Sequence, residues 1–433
     1  MARRLNASEK NFAAEFDKLL FATREEAEDV AQVVKAIIAD VRARGDAALV
    51  ELSNKFDKAN VTAQTLKLSA SEIEAALAKV SKAQLEAIET AARRIEAYHQ
   101  RQLPADERFT DETGAVLGWR WTSVDSVGLY VPGGTASYPS SVLMNAIPAR
   151  VAGVKRIVMV TPASGGTINP LVLAAARRAG VSDIYRIGGA QAVAALAYGT
   201  ESIAAVDKIV GPGNAYVAAA KREVFGQVGI DSIAGPSEIL VIADGQNDPD
   251  WIAADLLSQA EHDASSQSIL ITDDAGFADR VADAAERQIA QLPRKEIAAR
   301  SWGDYGGIIV VAKLDDAAPL SDAFAPEHLE IATADPEILF AKVRHAGAIF
   351  LGRHTPEAMG DYIAGPNHVL PTSRTARFSS GLSVLDFMKR STLLGLDARS
   401  LAAIGPQAVT LAEAEGLQAH ARSISVRLDP KKD

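Results

Sequence analysis

The stretch Ser126-Val127-Gly128-Leu129-Tyr130-Val131-Pro132-Gly133-Gly134 is an apolar run that ends in a turn. Its first six residues predict a β-strand, and its last three predict a tight loop. The segment 140–151 predicts a helix directly after that loop. A strand, a loop and a helix in this order form the first part of a parallel βαβ unit.

Strands and helices alternate in the same way along the following residues. A strand predicted at Arg156–Val160 precedes a helix over 169–178, and a strand over 183–187 precedes a Gly-Gly turn and a helix over 191–198. After Ser237 a second set is predicted, with strands at 238–243, 267–272, 307–311 and 348–351 and helices near 249–262, 276–290 and 335–345. Because these strands are rich in Ile and Val with little polar alternation, we predict an α/β fold with two parallel-sheet modules, covered by helices on both faces.

The two ends of the chain differ from this pattern. Apolar spacing predicts helices over 25–45, 71–77 and 82–98, and the first 25 residues are interpreted as a separate arm. Beyond Gly381 we predict a tail that contains a helix around 406–415.

Composition limits the classes of protein that this chain can belong to. At about 150 residues per domain, 433 residues predict two or three domains. A hydrophobic fraction of 48% and a charged fraction of 23% are ordinary for a soluble globular protein. The net charge of −10 disfavours nucleic acid and anionic membrane surfaces as partners. The amino-terminal residues do not resemble a secretory signal and no stretch approaches a membrane span, so a cytoplasmic location is expected.

The chain has seven histidines and no cysteine. Any transition-metal site must therefore use imidazole, carboxylate and amide oxygen, a set typical of catalytic rather than structural zinc. Three of the histidines stand in segments rich in acids and amides, at 258–263, 325–330 and 411–420. This pattern predicts a metal site with proton-transfer groups.

Gln259 and His262 lie three residues apart near the end of a helix that Asp248 and Pro249 are predicted to begin. That spacing places both side chains on one side of a helix, where they could hold one ion. On spacing alone, a polar last turn whose histidine suits the helix dipole remains the alternative.

Two further segments offer proton-transfer groups. Glu327-His328 follows Pro326, so it is predicted to stand in a defined loop or at a helix start, where both side chains can act as general bases. A solvated acid–histidine pair is the alternative. Asp361 and His368 share a glycine-flanked segment that is either a ligand-binding loop or an ordinary turn. The other histidines, His99, His345 and His354, are interpreted as surface or structural residues.

Glycine-rich turns follow several predicted strands, at 130–134, 188–191 and 211–214. Loops at the carboxyl edge of a parallel sheet are where such folds bind ligands, which favours a nucleotide. No Gly-x-Gly-x-x-Gly occurs, however, and each turn taken singly favours an ordinary tight βα connection.

The chain resembles the histidinol dehydrogenase family over nearly its whole length. The resemblance is carried by the residues above and most strongly by Ile230-Asp231-Ser232-Ile233-Ala234-Gly235-Pro236-Ser237-Glu238 and, further on, Ala254-Asp255-Leu256-Leu257-Ser258-Gln259-Ala260-Glu261-His262-Asp263. It implies two Rossmann-like parallel-sheet domains with a helical N-terminal arm and a C-terminal tail, in an intertwined homodimer. The domains expected are an arm over 1–25, a zinc-binding catalytic domain over 26–129 plus 239–381, an incomplete Rossmann-like NAD-binding domain over 130–238, and a dimerisation tail over 382–433.

The resemblance also implies a function for individual residues. It implies one zinc ion per subunit, bound by Gln259, His262, Asp361 and His420, with Glu327 and His328 as catalytic bases. Tyr130, Gln191 and Asn214 are expected at the NAD site. The residues expected to contact the substrate are Ser237, His368 and Glu415, together with the bases and the zinc ligands.

The implied reaction is the oxidation of L-histidinol to L-histidine through L-histidinaldehyde, with two NAD⁺ reduced in succession. His328 would accept the alcohol proton, and Glu327 would activate water to hydrate the aldehyde. Glu415 and His420 would complete the site of the other subunit, which makes the homodimer obligatory.

Two other functions remain alternatives from the residues alone: a zinc-dependent amide or ester hydrolase, and a nucleotide- or metal-binding protein without catalysis. A regular βαβ unit would place the end of the 249–262 helix at the amino edge of the next strand, opposite the usual ligand edge. This favours a site between the two modules.

Overall fold

The computed structural model describes residues 2–22, 30–133, 138–233 and 235–428. Its strands are β1 Arg3–Asn6, β2 Glu107–Thr110, β3 Val116–Ser123, β4 Ser126–Tyr130, β5 Arg156–Val160, β6 Asp183–Tyr185, β7 Lys208–Val210, β8 Gly229–Ile230, β9 Glu238–Ala243, β10 Gln267–Thr272, β11 Gly307–Val310, β12 His328–Ala332, β13 Ala348–Leu351 and β14 Met388–Gly395. Its α-helices are α1 Phe12–Leu20, α2 Ala31–Arg44, α3 Asp46–Phe56, α4 Ala70–Leu77, α5 Lys82–Gln100, α6 Pro139–Val151, α7 Pro170–Ala179, α8 Gly189–Tyr198, α9 Ala215–Val224, α10 Pro249–Ala260, α11 Ala275–Ile289, α12 Lys295–Asp304, α13 Ala317–Phe324, α14 Pro336–Phe340, α15 Ala358–Tyr362, α16 Ala398–Ala414 and α17 Gln418–Leu428.

Contacts between residues divide the chain into two compact units. The first comprises Met1–Gln102 and Asp125–Asp386, and the second comprises Leu103–Val124 and Phe387–Asp433. The first unit contains a six-stranded sheet in the order β1-β11-β10-β9-β12-β13 and a five-stranded sheet in the order β6-β5-β4-β7-β8. All pairs in both sheets are parallel, which confirms the predicted α/β class with two parallel-sheet modules.

The five-stranded sheet is built from the stretch in which the α/β pattern begins. β4 lies at its centre, between β5 and β7, and helices connect the successive strands. Apolar side chains of α2, α3, α8 and α9 form one continuous core with strand residues such as Val158 and Ile209, both fully buried. Helices α2 and α3, which precede this module in the chain, therefore contribute to its core.

The six-stranded sheet is buried on both faces, as parallel sheets are. Along β9, Ile239 and Val241 belong to one hydrophobic core, and the intervening Leu240 and Ile242 belong to the core on the opposite face. Because alternate side chains enter two apolar layers, the strand has no polar alternation. The bounds of β9, β10 and β13 match those predicted from the sequence.

The N-terminal segment also contributes to the six-stranded sheet. β1 pairs in parallel with β11, and Leu5 and Leu19 are buried in one of the sheet's two cores. The sequence analysis predicted no strand in this segment. Its four residues begin with two arginines, so no apolar run marks the strand.

Strand β12 corrects a second prediction. Glu327-His328 was predicted to stand in a loop or at a helix start, whereas His328 is the first residue of a strand that pairs in parallel with β9 and β13. Leu329 and Ile331 enter a hydrophobic core, but the buried carboxyl of Glu330 interrupts the apolar run. The helix predicted near 335–345 is also shorter, since α14 ends at Phe340.

The second unit contains an antiparallel sheet and two helices. β3 pairs with β14 on one side and β2 on the other, and α16 packs against α17. The helix predicted around 406–415 begins earlier, at Ala398, because Asp397 caps it by accepting a hydrogen bond from Ser400 N–H (2.7 Å). Pro406 lies inside this helix rather than at its start.

The predicted domain boundaries stay a prediction, and the first of them, at residue 25, lies outside the described residues. Among the helices that the structure describes, none is long and apolar enough to cross a membrane.

Candidate active site

A cavity of about 1740 Å³ lies within the first unit. On one side it meets residues at the carboxyl ends of β4 and β7, and on the other it meets residues beside the amino ends of β9 and β12. Ten of the twelve predicted site residues line it: Tyr130, Gln191, Asn214, Ser237, Gln259, His262, Glu327, His328, Asp361 and His368. Segments far apart in sequence thus meet at one cleft.

Glycines shape the wall formed by the five-stranded sheet. Tyr130 ends β4, and its hydroxyl accepts a hydrogen bond from Gly189 N–H at the start of α8 (3.0 Å). At Gly211 φ is +112°, and a Cβ there would lie 2.1 Å from the carbonyl oxygen of Tyr130. The loop after β7 can therefore approach β4 only with glycine at this position.

The other predicted residues on this wall are held by the helices. Asn214 caps α9, and its Oδ1 accepts hydrogen bonds from the backbone N–H groups of Tyr216 (3.1 Å) and Val217 (3.2 Å). Gln191 lies in the first turn of α8 and is 2% exposed. Burial, with a contribution from the negative charge of Asp57, raises the pKa of Tyr130 to about 12. The phenol is therefore protonated at neutral pH and can donate a hydrogen bond.

A buried ion pair fixes the loop after β7. Lys221 of α9 donates to the carbonyl oxygen of Gly211 (3.0 Å) and to Asp231, whose other carboxylate oxygen accepts from Gly211 N–H (2.7 Å). Both side chains are almost fully buried. The sequence analysis did not identify this pair.

The opposite wall carries the acid and histidine residues. Glu327 and Glu238 form two reciprocal hydrogen bonds between backbone and carboxylate. Glu238 N–H donates to Glu327 Oε2 (3.0 Å), and Glu327 N–H donates to Glu238 Oε2 (3.3 Å). These residues stand at the amino ends of β12 and β9. The site thus uses the amino edge of the six-stranded sheet and the carboxyl edge of the five-stranded sheet, in agreement with the prediction of a site between the two modules.

His328 is oriented as a base. Its Nδ1 donates to the carbonyl oxygen of Glu238 (3.0 Å), which leaves the lone pair on Nε2. Nε2 is buried and accepts no hydrogen bond from any residue in the described ranges. Burial lowers the pKa of His328, so the ring is neutral at pH 7 and can accept a proton.

The pKa of Glu327 is strongly shifted from that of a free glutamate. The side chain is buried, and burial together with the negative charge of Glu238 raises its pKa well above the ordinary range. Charges on Asp361 and Glu357 act in the same direction. These neighbours come from distant segments, so the shift could not be deduced from the residues next to Glu327 in sequence.

A group suited to a cation lies beside His328. Ligand atoms of His328, Glu357 and Asp361 all lie within 4.8 Å of one another. His328 Nε2 is 3.6 Å from Glu357 Oε1 and 3.8 Å from Asp361 Oδ1. Burial and the charge of Glu357 raise the pKa of Asp361 to about 8. A bound cation would offset this mutual repulsion, so the residues fit a metal.

The sequence analysis missed Glu357. It stands at the N-cap position of α15 without a side-chain capping hydrogen bond, is 1% exposed, and its Oε2 accepts a hydrogen bond from the hydroxyl of Ser258 (3.0 Å). Its spacing of four residues from Asp361 in a short helix is the signal that could have identified it.

Gln259 and His262 also line the cavity, but only Gln259 lies within a helix. α10 ends at Ala260, and His262 follows in a turn in which its N–H donates to the carbonyl oxygen of Gln259 (3.1 Å). Both amide atoms of the Gln259 side chain are buried without a hydrogen-bond partner among the described residues. His262 Nδ1 lies 3.5 Å from the hydroxyl of Ser237, and burial lowers its pKa. The unpartnered amide oxygen of Gln259 and the neutral imidazole of His262 are groups that can donate electron pairs to zinc.

His368 forms a hydrogen bond with the backbone of Asp361. Its Nδ1 donates to the carbonyl oxygen of Asp361 (3.0 Å), and its Nε2 lies 3.4 Å from the hydroxyl of Ser141. Burial lowers the pKa of His368 to about 4, so the ring is neutral.

The remaining predicted residues, Glu415 and His420, belong to the second unit, where both are exposed. His99 is buried and donates from Nδ1 to the carbonyl oxygen of Ile95 (2.8 Å), which supports a structural role. His345 lies in a loop and not in the predicted helix, and His354 lies in a turn beside Trp251.

Together the two parallel sheets, the cleft and the buried histidine–carboxylate cluster define an α/β enzyme whose site lies between two sheet edges. A model of the histidinol dehydrogenase family matches residues 21–428. The chain belongs to the histidinol dehydrogenase family, and the protein is therefore an NAD-dependent dehydrogenase.

Individual relatives agree with this membership. The chain is 65% identical to a histidinol dehydrogenase of Rhodospirillum rubrum and 63% identical to one of Rhizobium meliloti, in each case over 99% of both chains. Among solved structures, the crystal structure of histidinol dehydrogenase from Elizabethkingia anophelis matches with a TM-score of 0.95 and 39% identity. That match covers 100% of this chain and 99% of the other.

Proposed function

We propose that this protein oxidises L-histidinol to L-histidine through L-histidinaldehyde, using two NAD⁺ and one zinc ion per subunit, in histidine biosynthesis. Family membership supports the substrate and the pathway. The observation that carries the proposal is the convergence of ten predicted residues, drawn from distant segments, on one cavity.

The five-stranded wall is proposed to bind the dinucleotide. Its glycine turns lie at the carboxyl edge of the sheet, and α8 and α9 both begin beside the cavity, where the positive end of each helix dipole favours a pyrophosphate. Tyr130, Gln191 and Asn214 are the proposed contacts. Each NAD⁺, when bound, supplies the acceptor for one of the two hydrides that the oxidation releases.

The opposite wall is proposed to bind zinc and substrate. Gln259, His262 and Asp361 would be ligands, with His420 from the other subunit of a homodimer as the fourth. Zinc, when bound, would polarise and orient the substrate's nitrogen and oxygen groups. Glu357 belongs beside this set because its carboxylate approaches both His328 and Asp361. Ser237, His368 and Glu415 are proposed to contact substrate.

His328 is proposed to accept the proton in both oxidation steps. Its Nδ1 is committed to the carbonyl of Glu238, so the proton is taken on Nε2, the atom without a partner in the described structure. The hydroxyl of histidinol loses its proton to Nε2 as hydride leaves the carbon, and the hydrated aldehyde does the same in the second step.

Glu327 is proposed to form the hydrate between these steps. In its ionised form it removes a proton from water, whose oxygen then adds to the aldehyde carbon, while the carbonyl oxygen takes up the proton that His328 Nε2 accepted in the first step. Its raised pKa means that the ionised form depends on positive charge nearby, which the cation site can supply. Both oxidations then use one base and one pocket, and the reactive aldehyde need not leave.

The direct test supplies purified protein with L-histidinol and NAD⁺ and follows NADH by its absorbance. We expect NADH to form and L-histidine to accumulate. Absence of NADH, together with turnover of amide or ester substrates by the metal-loaded protein, would instead identify a zinc hydrolase.

A further inference from the structure

Asp57 is a carboxylate on the cavity wall that the proposed mechanism does not use. It follows the last residue of α3 and lines the cavity on the side of the five-stranded sheet. Its Oδ2 is buried and accepts no hydrogen bond from any residue that the structure describes. Leaving a buried carboxylate oxygen without a donor is costly, so this atom is suited to a donor from a ligand.

The position of Asp57 corresponds to a particular part of a dinucleotide site. In Rossmann-like units an acid near the end of the second strand binds the ribose hydroxyls of the adenosine. Here β4 and β5 are the first two strands, and the loop after β5, Thr161-Pro162-Ala163-Ser164-Gly165-Gly166, contains no acid. The chain after β5 therefore cannot supply the carboxylate itself.

The segment that contains Asp57 lies against this loop. A Cβ at Gly166 would lie 3.0 Å from the carbonyl oxygen of Ala59, two residues after Asp57. α3 and Ala59 also share the hydrophobic core of the five-stranded sheet. The acid that is missing after β5 is thus supplied next to that loop by an earlier helix.

The electrostatic surroundings agree with this placement. Asp57 and Tyr130 line the same cavity, burial raises the pKa of Asp57, and the charge of Asp57 contributes to the raised pKa of Tyr130. Two neighbouring hydroxyl donors would stabilise the carboxylate, whereas a 2′-phosphate would add negative charge against it.

We propose that Asp57 accepts hydrogen bonds from the adenosine ribose hydroxyls of NAD⁺ and thereby sets the preference for NAD⁺ over NADP⁺. This inference rests on the proposed dinucleotide site. It adds a determinant of cofactor specificity from outside the strand–loop–helix unit that cradles the pyrophosphate.

The test compares Asp57→Asn with the wild-type protein, using histidinol with NAD⁺ or NADP⁺. A hydrogen bond to a charged group contributes about ten- to hundredfold in affinity. We expect the KM for NAD⁺ to rise by about that factor, kcat to change much less, and the preference for NAD⁺ over NADP⁺ to fall at least about tenfold. Glu51→Gln, on the same helix but away from the cavity, is the matched control and should leave the preference unchanged.

Deoxy analogues identify the hydroxyl involved and need no variant. On the wild-type protein, 2′-deoxy- or 3′-deoxyadenosine NAD⁺ should bind about tenfold or more weakly, and on Asp57→Asn that penalty should disappear. An unchanged cofactor preference in Asp57→Asn overturns the proposal, and so do equal KM values for NAD⁺ and both analogues on the wild type. A wild-type protein that produces no NADH from histidinol would instead overturn the proposed function itself.

Discussion

The hydrogen bond from His328 Nδ1 to the carbonyl of Glu238 determines which ring nitrogen can act as a base. Pairing of β12 with β9 places this carbonyl beside the ring, so the parallel register sets the tautomer. Glu327, one residue earlier, instead has its carboxylate bound by the backbone N–H of Glu238. Adjacent side chains thus receive different environments and are suited to different proton-transfer steps.

This difference predicts separable effects on the two half-reactions. Because a general base contributes about 10²- to 10⁴-fold, His328→Asn should slow both alcohol and aldehyde oxidation by at least about a hundredfold. Glu327→Gln should slow aldehyde oxidation by a similar factor and alcohol oxidation much less. Stopped-flow measurement of NADH from each substrate distinguishes the two variants. An unchanged aldehyde rate in Glu327→Gln contradicts water activation by Glu327.

The carboxyl groups of the partly buried Asp255 and the buried Glu330 predict a pH-dependent stability. Burial raises the pKa of Asp255 to about 6, although the hydrogen bond with Glu330 acts in the opposite direction. The folded chain therefore retains a proton between about pH 4 and 6 that the unfolded chain has lost, so this group's stabilising contribution falls as pH rises through that window.

Asp255→Asn removes this titration. The unfolding free energy of the variant, relative to that of the wild type, should therefore increase as the pH rises. Between pH 4 and pH 7 the difference in unfolding free energy should shift by about 2 to 3 kcal/mol toward the variant. Urea unfolding at both pH values, with a chelator present, measures it. A difference that does not change with pH contradicts the assignment.

The loop between β7 and α9 is held by a single buried ion pair. Lys221 and Asp231 together bind both the N–H and the carbonyl of Gly211, whose positive φ no other residue would favour. The loop's shape thus depends on a glycine at one point and on a buried charge pair across its base.

Lys221→Met should destabilise the five-stranded sheet by about 3 to 5 kcal/mol, because it leaves Asp231 buried and unpaired. Hydrogen exchange of backbone amides in β4 and β7 reports this loss locally. The double variant Lys221→Met, Asp231→Leu removes both charges and should lose less. Arg353→Met breaks a partly buried pair with Asp244 away from the cavity and should leave β4 and β7 protected. Equal losses in the single and double variants contradict the role of the pair.

Whether a strand could be predicted from sequence depended on how its side chains are buried. β9 and β10 were predicted with their observed bounds because both faces enter apolar cores, and the edge strand β13 was predicted from its short apolar run. β12 was missed because His328 and Glu330, both buried, replace apolar residues in it. β1 was missed because its pairing with β11 spans about 300 residues of chain, and no local pattern reports such a contact.

The candidate site shows a similar limit. Residue types and spacing left an ordinary structural alternative for each motif. Only the family resemblance implied that the motifs belong to one active site. The structure adds what depends on distant contacts: the cluster of Glu357 with His328 and Asp361, the raised pKa of Glu327, and the unpartnered oxygen of Asp57.

In the molecule as a whole, opposite edges of two parallel sheets share one cleft. Tyr130 ends β4, whereas His328 begins β12, and both line the same cavity. In the proposed function, the glycine turns bind NAD⁺ in this cleft and the acids and histidines bind zinc and substrate. The proposed homodimer would add His420 and Glu415 to each site from the neighbouring subunit.

Sharing between subunits predicts complementation of two inactive variants. His262→Asn and His420→Asn should each lose activity, whereas mixed and reassociated subunits should recover about a quarter of wild-type activity. Half of the dimers are then mixed, and each of these has one intact site. Activity of the mixture, with mixed dimers confirmed by mass spectrometry, tests this. No recovery would contradict a shared site.

The most direct measurement of the proposed function is the yield of NADH per L-histidinol, determined together with the zinc content of the same sample. Two equivalents of NADH with about one zinc per chain, and loss of the yield on removal of zinc, are the expected results. One equivalent with accumulated aldehyde, or a full yield from zinc-free protein, would contradict the account.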